Sequence, residues 1–295
     1  MVEEVKETVL IIGSGGMLGR VLNSVVSKNF KTTGLAHADL DITDHKKTIE
    51  ICRQIRPEII ILSASYTDVD GCEKNKELAY QVNVEGVKNV AQAASEIGSA
   101  LISMSTDYVF NGKATTPYSE YDKPDPISVY GESKLKGEEA ALKFVENSMI
   151  IRCSLLFGES TKGFISMVRE RIGKNQEVKA IHDKVASPTY VVDLAGAIVQ
   201  IVQLITKQKY DFKKNRMLHI TNKGISSWYD MAEHIFEKLH VNHATLKKVV
   251  LDDFPFIAKR PRYSALDCSR YEKITNQRLR PWQDALTEFL QCQKI

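Results

Sequence analysis

The sequence predicts an α/β fold in which an open, doubly wound parallel sheet is followed by a smaller α/β lobe. Two observations carry this prediction. Short, continuously apolar runs rich in β-branched residues recur through the first half of the chain, which is typical of strands buried on both faces of a sheet. Each run is followed by apolar residues at helical spacing, and this alternation of strand and helix indicates right-handed βαβ units.

The predicted elements alternate regularly up to about residue 151. Strands are expected at residues 9–12, 31–35, 57–62, 100–104 and 149–151. Helices are expected from residue 18, over 44–53 and 76–97, and after Pro126. Because helices join consecutive strands, the strands are expected to run parallel in one sheet.

The alternation loosens beyond residue 157, where short strands such as 217–221 stand between helices. Further helices are expected at residues 164–171, 191–204, 228–239 and 282–290. We therefore predict two domains, residues 1–157 and residues 158–295, with the second interleaved with the first rather than tethered by a linker.

Composition and charge exclude several classes of protein. Forty Lys and Arg residues against thirty-seven Asp and Glu leave a net charge of +3, and 43% of the residues are hydrophobic. This is a globular composition, and the balanced charge predicts no nucleic-acid partner. No apolar run approaches the roughly 20 residues needed to cross a bilayer, so we expect no membrane partner. The acidic first residues do not resemble a secretory signal, and a cytoplasmic location is expected.

Five cysteines are scattered along the chain without the close pairs that metal sites use. They are Cys52, Cys72, Cys153, Cys268 and Cys292. We expect reduced thiols that mostly serve packing, and we predict no metal site.

A glycine-rich loop, GSGGMLG, directly follows the first predicted strand. Gly13 permits a tight turn, Gly16 lets the backbone approach a diphosphate, and Gly19 allows close packing of helix and sheet. Met17 and Leu18 open the next helix, whose free N–H groups and positive dipole end favour an anion. The loop therefore predicts a dinucleotide-binding site in a Rossmann-type domain.

The end of the second predicted strand indicates which dinucleotide is bound. NAD-preferring sites place a carboxylate there for the ribose 2′-hydroxyl, but this segment reads Gly-Leu-Ala-His and ends at His37. Without that carboxylate a 2′-phosphate is not repelled, and Arg20 and His37 are candidates to pair with it. NADP(H) is therefore expected in preference to NAD(H), unless Asp39 binds the ribose from a shifted register. Asp41 and Ile42 are expected to lie against the adenine.

Tyr130 and Lys134 stand four residues apart after Pro126, which places both on one face of a helix. A phenol with a pKa of roughly 10 is a poor proton shuttle at neutral pH, and a neighbouring ammonium is expected to lower that pKa. Hydroxyl-bearing residues at 105–108 follow the fourth predicted strand, where open sheets bind ligands. Chance spacing with a solvent-exposed lysine is the alternative, and the glycine loop together with these hydroxyls favours catalysis.

Together these motifs resemble an extended short-chain dehydrogenase/reductase, whose shared pattern is a GxxGxxG loop with a Ser/Thr–Tyr–Lys triad. Within that group the chain is similar to the dTDP-4-dehydrorhamnose reductase family over nearly all of residues 9–290. The segments that carry the likeness are 64–70 (ASYTDVD), Asn83-Val84, 105–112 (STDYVFNG), 130–137 (YGESKLKG), 187–189 (SPT) and Arg260-Pro261-Arg262 with Leu266-Asp267.

The resemblance implies reduction of the C4 ketone of a nucleoside-diphosphate 4-keto-6-deoxyhexose by NADPH. It implies that Thr106 hydrogen-bonds the substrate carbonyl, that Tyr130 donates the proton, and that Lys134 holds the nicotinamide ribose. It further assigns residues that line the ligands, namely Ser65, Tyr66 and Thr67 for the cofactor, and Thr106 and Asp107 for the sugar. Arg260 or Arg262 would bind the phosphates, with surface or interdomain ion pairs as the alternative.

The chain departs from the family pattern at positions that bear on function. Leu155 stands where the family commonly carries a tryptophan that packs against the sugar, which leaves the identity of the sugar open. Asp107 stands where related enzymes that also epimerise carry a cysteine, so reduction without epimerisation is expected. Val21 stands where bacterial relatives use a carboxylate in a metal-bridged dimer, so cation-dependent dimerisation is not expected.

A binding protein of the same fold is the second interpretation. Segments 152–159 (RCSLLFGE) and 260–269 (RPRYSALDCS) resemble the regulatory β subunit of methionine adenosyltransferase. In that subunit the C-terminal tail docks into the catalytic partner, and residues 289–295 are the corresponding tail here. This resemblance implies an NADP-binding regulator with little or no reductase activity, with the catalytic subunit of a methionine adenosyltransferase as partner.

Overall fold

A computed structural model describes residues 7–160 and 163–292, and residues 293–295 of the proposed docking tail lie outside this range. The strands are β1 (Thr8–Ile12), β2 (Lys31–Leu35), β3 (Ile59–Leu62), β4 (Ala100–Thr106), β5 (Ser148–Cys153), β6 (Leu156–Phe157), β7 (Val178–Ile181), β8 (Val185–Ala186), β9 (Thr189–Tyr190), β10 (Met217–His219), β11 (Ser226–Ser227) and β12 (Leu246–Val249). Six of them form a parallel sheet in the order β2–β1–β3–β4–β5–β10. The predicted fold class is confirmed.

Alternate residues of the central strands face two separate layers of helices. The helices are α1 (Met17–Val26), α2 (His45–Ile55), α3 (Val69–Lys74), α4 (Lys76–Tyr80), α5 (Val87–Ile97), α6 (Val129–Phe144), α7 (Phe164–Gly173), α8 (Val191–Thr206), α9 (Trp228–Lys238), α10 (Ser269–Thr275) and α11 (Trp282–Cys292). On β1, Val9 and Ile11 pack in a core with α1 and α8, whereas Leu10 and Ile12 pack in a core with α2 and α5. A strand buried on both faces must be apolar at every position, which explains the continuous runs in the sequence.

The sheet reverses its winding at β1. Strand β2 lies on one side of β1, and β3, β4 and β5 follow in order on the other side. The loops after β1 and β3 therefore meet at the carboxyl edge of the sheet. Such a switch point is where open α/β sheets bind their ligands.

The helix predicted over residues 76–97 begins where it was predicted but is not α-helical throughout. The Asn75 side chain accepts a hydrogen bond from Leu78 N (3.0 Å), which starts α4 and separates it from α3. Residues 81–86 then form a π-helical turn before α5 begins. Turns of this kind are frequent at functional sites, and this one carries Asn83.

The residues after 157 contribute both to the central sheet and to smaller structures of their own. The strand expected at 217–221 is present as β10, which pairs with β5 as the sixth strand of the sheet. The remaining strands after β5 form the two-stranded pairs β6–β9, β7–β12 and β8–β11. The division of domains at residue 157 stays a prediction.

Two features bear on the expectations drawn from composition. All five cysteines are free thiols, in agreement with the sequence prediction. Among the helices formed by residues 7–160 and 163–292, none combines the length and the apolar character that a bilayer crossing requires.

Candidate active site

The glycine loop and the loop after β3 are in contact at the switch point. Gly13 N and Ser14 N both donate to the Leu35 carbonyl, at 2.8 and 3.0 Å. Gly13 has φ +93°, and a Cβ there would lie 2.4 Å from Ala64 N. This position therefore requires glycine both for its backbone conformation and for the approach of the neighbouring loop.

The first turn of α1 provides a place for a diphosphate. Gly16 is the N-cap, and no side chain caps the helix, so its first N–H groups are free of a side-chain acceptor. A Cβ at Gly19 would lie 2.0 Å from Gly13 O, so the helix start can fold back on the loop only with glycine there. A bare helix N-terminus behind a glycine turn fits the diphosphate of a dinucleotide cofactor.

A cavity of about 540 Å³ opens between this loop and the carboxyl ends of β3, β4 and β5. Many residues predicted from the sequence line it, namely Gly16, Met17, Leu18, Gly19, Ser65, Thr67, Thr106, Asp107, Tyr130, Lys134 and Leu155. The predicted residues outside its lining are Gly13, Arg20, His37, Asp41, Ile42, Tyr66 and Arg260. One cavity thus joins the predicted phosphate loop to the predicted catalytic residues.

The residues expected at the adenine end lie at the surface beside the loop, apart from Ile42, which is buried. The Arg20 guanidinium donates to the carbonyls of Gly15 (2.8 Å) and Glu159 (3.1 Å). The Asp39 carboxylate accepts a bond from Ala36 N (2.8 Å), so it holds the turn after β2. Hydrogen bonds from Thr43 lower the pKa of Asp41.

The predicted catalytic residues meet at the end of β4. The Thr106 hydroxyl is close enough to the Tyr130 phenol to lower its pKa. Lys134 Nζ donates to Met104 O (2.8 Å) and to Ser65 Oγ (3.2 Å). Tyr130 and Lys134 are each less than 10% exposed. Helix α6 therefore presents a phenol and an ammonium at the mouth of the sheet, as its spacing predicted.

The direction of the Tyr130 pKa shift is opposite to the expectation from sequence. Burial raises the pKa of Tyr130, and the Thr106 hydrogen bond opposes that shift only in part. Spacing places Lys134 on the same helix face but does not fix where its ammonium points, and the ammonium is bound to Met104 and Ser65. Burial also lowers the pKa of Lys134 to about 8, against the attraction of Glu138.

Asn83 belongs to a segment that carries the family likeness, but the sequence assigned it no role at the site. Its Oδ1 accepts bonds from Ser65 Oγ (3.0 Å) and Tyr66 N (2.9 Å), and its Nδ2 donates to Tyr66 O (3.0 Å) and Ser133 Oγ (3.0 Å). Asn83 thereby fixes the hydroxyl that receives a bond from Lys134. A buried asparagine in a predicted helix was the available signal, since such a side chain must find partners.

The wall beyond β4 carries a second group of polar side chains. Asp107 accepts bonds from Thr106 Oγ1 (3.2 Å) and Ser264 Oγ (2.5 Å). Lys184, which is 3% exposed, places its Nζ 5.4 Å from the centre of the Tyr108 ring. Burial lowers the pKa of Lys184, and Asp107 opposes that shift. The sequence assigned no role at the site to Ser264 or Lys184, which lie in loops far along the chain.

Arg260 and Arg262 form ion pairs, which is the alternative that the sequence left open. Arg260 binds both oxygens of Asp70 at 3.0 Å, and the backbone N–H groups of Ile257 and Ala258 donate to the same carboxylate. Arg262 pairs with Asp183 and Asp252. The Asp70 pair thus joins the loop before Arg260 to helix α3 of the first half.

Leu155 lies on the cavity wall in an uncommon backbone conformation. Its φ is +42°, and its carbonyl accepts a bond from Thr189 N (3.1 Å). A residue other than glycine in this region is strained, and such strain concentrates at ligand sites.

The doubly wound sheet, the glycine loop and the Thr106–Tyr130–Lys134 group define a Rossmann-type short-chain dehydrogenase/reductase. The family model described as the RmlD substrate binding domain matches residues 7–295. A dTDP-4-dehydrorhamnose reductase from Aggregatibacter actinomycetemcomitans is 35% identical, over 94% of this chain and 96% of that protein. The chain belongs to the dTDP-4-dehydrorhamnose reductase family.

Other relatives extend the similarity to solved structures and to a differently named protein. The dTDP-4-dehydrorhamnose reductase of Bacillus anthracis, solved in complex with NADP, is 32% identical, with a TM-score of 0.90 over 98% of this chain and 100% of that chain. The spore coat polysaccharide biosynthesis protein SpsK of Bacillus subtilis is 34% identical, over 96% of each chain. These findings support the reductase interpretation over the regulatory-subunit alternative, and they give no support to a methionine adenosyltransferase partner.

Proposed function

We propose that this protein reduces the C4 ketone of a nucleoside-diphosphate 4-keto-6-deoxyhexose with NADPH. The observation that carries the proposal is one cavity that joins a diphosphate-binding glycine loop to Thr106, Tyr130 and Lys134. Membership of a family whose named members reduce dTDP-4-dehydrorhamnose supports the same substrate class. The step is expected to serve the synthesis of dTDP- or UDP-rhamnose.

Tyr130 is suited to donate the proton. Because burial raises its pKa, the phenol is protonated at neutral pH and available to the carbonyl oxygen. Thr106, which lies near that phenol, is proposed as the second donor for the same oxygen. Both bonds strengthen as negative charge develops on the oxygen, which lowers the barrier.

Lys134 supports the charge that remains when Tyr130 has given up its proton. Its ammonium is held one helical turn from the phenol by Met104 and Ser65. We expect this positive charge, on the same helix face, to favour the phenolate once the proton has been transferred. Bound NADPH supplies the hydride, and the residues Gly13, Gly16, Met17, Leu18 and Gly19 are proposed to hold its diphosphate.

The proposed substrate wall consists of Asp107 and Leu155. Asp107 is positioned by Ser264 to accept bonds from sugar hydroxyls. Asp107 stands where related enzymes that also epimerise carry a cysteine, so a single reduced product is expected. Arg260 is proposed to bind a phosphate of the substrate while its ion pair with Asp70 holds its loop in place.

The activity is tested by mixing the protein with NADPH and a dTDP- or UDP-linked 4-keto-6-deoxyhexose while following cofactor absorbance. We expect turnover, and we expect Tyr130→Phe to lower kcat about 100-fold or more, since that is the scale of proton-transfer catalysis. Tyr210→Phe is the matched control, because Tyr210 is also a tyrosine whose burial raises its pKa, and its hydroxyl bonds Asn215 O away from the cavity. Tight NADPH binding without turnover of either substrate would contradict the proposal.

We also propose that NADPH is preferred over NADH. The guanidinium of Arg20 is bonded to two carbonyl oxygens, which leave its positive charge available to a 2′-phosphate. Arg20→Gln is expected to weaken NADPH binding about tenfold, with NADH unaffected, because a charge-assisted bond contributes about 1.5–3 kcal/mol. Lys28→Gln, which removes an exposed cation beyond α1, is the control. Equal or better binding of NADH by the unmodified protein would contradict this preference.

We propose that the protein is located in the cytoplasm. Five free thiols suit a reducing compartment, where NADPH is also available. Measuring where the tagged full-length chain fractionates in its host would test it.

A further inference from the structure

Three residues of α6, spaced four apart, face three consecutive residues at the end of β4. Tyr130 lies near Thr106, and the Lys134 ammonium donates to the carbonyl of Met104. The third is Glu138, whose Oε1 accepts a bond from Ser105 Oγ at 2.5 Å. Positions four and eight residues after Tyr130 lie on the same helix face, so Glu138 continues the row of catalytic side chains.

Glu138 is almost fully buried and is held from a second strand. Its carboxylate receives two bonds from Arg152, at 2.8 and 2.6 Å, and both side chains are at most 3% exposed. Arg152 lies on β5 directly opposite Ser105, and its guanidinium stands 5.1 Å from the centre of the Phe110 ring. The carboxylate therefore ties α6 to β4 and β5 at once.

A buried ion pair alone contributes little net stability, because two charges must lose their hydration. The arrangement also does something that an apolar pair of equal volume could not do. It places a negative charge one helical turn from the Lys134 ammonium, which is itself buried. Glu138 raises the pKa of Lys134 against the larger, opposite effect of burial.

We propose that Glu138 is a positioning residue of the reductase, which anchors the end of β4 through Ser105 and keeps the Lys134 ammonium charged. The catalytic part of this inference rests on the proposed function, whereas the effect on Lys134 is independent of it. Glu138 itself touches no substrate and is not a catalytic residue.

The test compares Glu138→Gln, which keeps the shape and removes the charge, with Glu138→Asp, which keeps the charge. For Glu138→Gln we expect the alkaline limb of the kcat–pH profile to move about one pH unit lower, the effect of losing a nearby opposite charge. For Glu138→Asp we expect the limb to stay, whatever the loss of thermal stability. Asp193→Asn is the control, since it breaks the Arg280 ion pair away from the cavity and is expected to leave the profile unchanged.

A second measurement keeps the inference testable without turnover or if Glu138→Gln folds poorly. The double variant Glu138→Gln/Arg152→Gln removes both buried charges, and NMR of the lysine Cε–Hε groups then follows the titration of Lys134 directly. We expect Lys134 to titrate at lower pH in the double variant than in the unmodified protein. An unchanged titration, or an alkaline limb that stays in place in Glu138→Gln, would overturn the inference. Absence of turnover in the unmodified protein, with the shift of Lys134 intact, would instead contradict the proposed function alone.

Discussion

The two ends of the proposed substrate site are held together in different ways. At the reaction end, Thr106, Tyr130 and Lys134 are buried, and Lys134 is bonded to the strand beneath it. At the far wall, which lies outside the residues that line the cavity, the loop before Arg260 is attached through the carboxylate of Asp70, and Ile257 beside it is 55% exposed. Burial makes the first arrangement rigid, whereas the second depends on one ion pair, whose Asp70 side chain is 28% exposed. The reaction thus takes place at the fixed end of the site, and we expect the far wall to adjust to the substrate.

Removing the ammonium at the fixed end is expected to have the largest effect. We predict that Lys134→Met lowers kcat about 100-fold or more, because nothing then stabilises the charge left on Tyr130. Steady-state kinetics with saturating NADPH measure it. Lys136→Met is the matched control, since Lys136 lies two residues along α6, is largely exposed and pairs with Glu132 at 3.2 Å. Equal losses in the two variants would contradict the role given to Lys134.

The glycine loop, which lines the same cavity as Lys134, is expected to tolerate no added methyl group. Gly19→Ala would place its Cβ 2.0 Å from Gly13 O, so we predict a loss of about 1–3 kcal/mol in the free energy of unfolding, the usual scale of overpacking. Urea denaturation measures it, and NADPH binding is expected to fall with it. Gly196→Ala in α8 is the control, because a Cβ there meets nothing within 4 Å and should stabilise the helix by about 0.5–1 kcal/mol. An unchanged free energy of unfolding in Gly19→Ala would contradict the close packing of Gly19 against the Gly13 carbonyl.

Breaking the ion pair at the far wall is expected to change the binding of the nucleotide-sugar more than the rate of its reduction. Asp70→Asn removes the ion pair with Arg260, and we predict a KM about fivefold higher for the nucleotide-sugar, with kcat and NADPH affinity little changed, as suits an ion pair of roughly 1 kcal/mol. Glu96→Gln, which breaks the exposed pair with Arg53, is the control. A fall in kcat without a change in KM would contradict the assignment of substrate binding to the far wall.

The smallest effect expected is the pH dependence of the unmodified protein. The pKa of Lys134 is lowered to about 8, so its ammonium is present below that pH and lost as pH rises through it. We therefore predict that kcat falls to half near pH 8 and continues to fall above it, while Tyr130 stays protonated. A kcat–pH profile under saturating substrates measures this. A rate that stays constant to pH 10 would contradict it.

Patterns local to the chain predicted the sheet and the centre of the site. Continuous apolar runs located the strands, and the loop at Gly13 and the spacing of Tyr130 and Lys134 located the cavity. The features that these patterns did not predict depend on contacts between distant segments. The network of Asn83 and the burial of Lys184 follow from packing against other elements, which spacing does not encode.

The sequence also did not predict the direction in which individual side chains point. Helical spacing places Lys134 beside Tyr130 but does not show that its ammonium points to Met104 O and Ser65. Arg260 illustrates the same limit, because its partner Asp70 lies 190 residues away in the chain. Glu138 continues the row of Tyr130 and Lys134, and only its burial distinguishes it from the charged residues around it.

The sixth strand has a consequence for how this protein can be divided. Because β10 comes from the second half of the chain and pairs with β5, a fragment that stopped at residue 157 would expose the unpaired backbone of β5, the strand that carries Arg152. Such an edge invites aggregation. The halves are therefore expected to be expressed, folded and inherited as one unit, and new sugar specificities to arise by exchanging loops rather than by joining a foreign domain to the cofactor half.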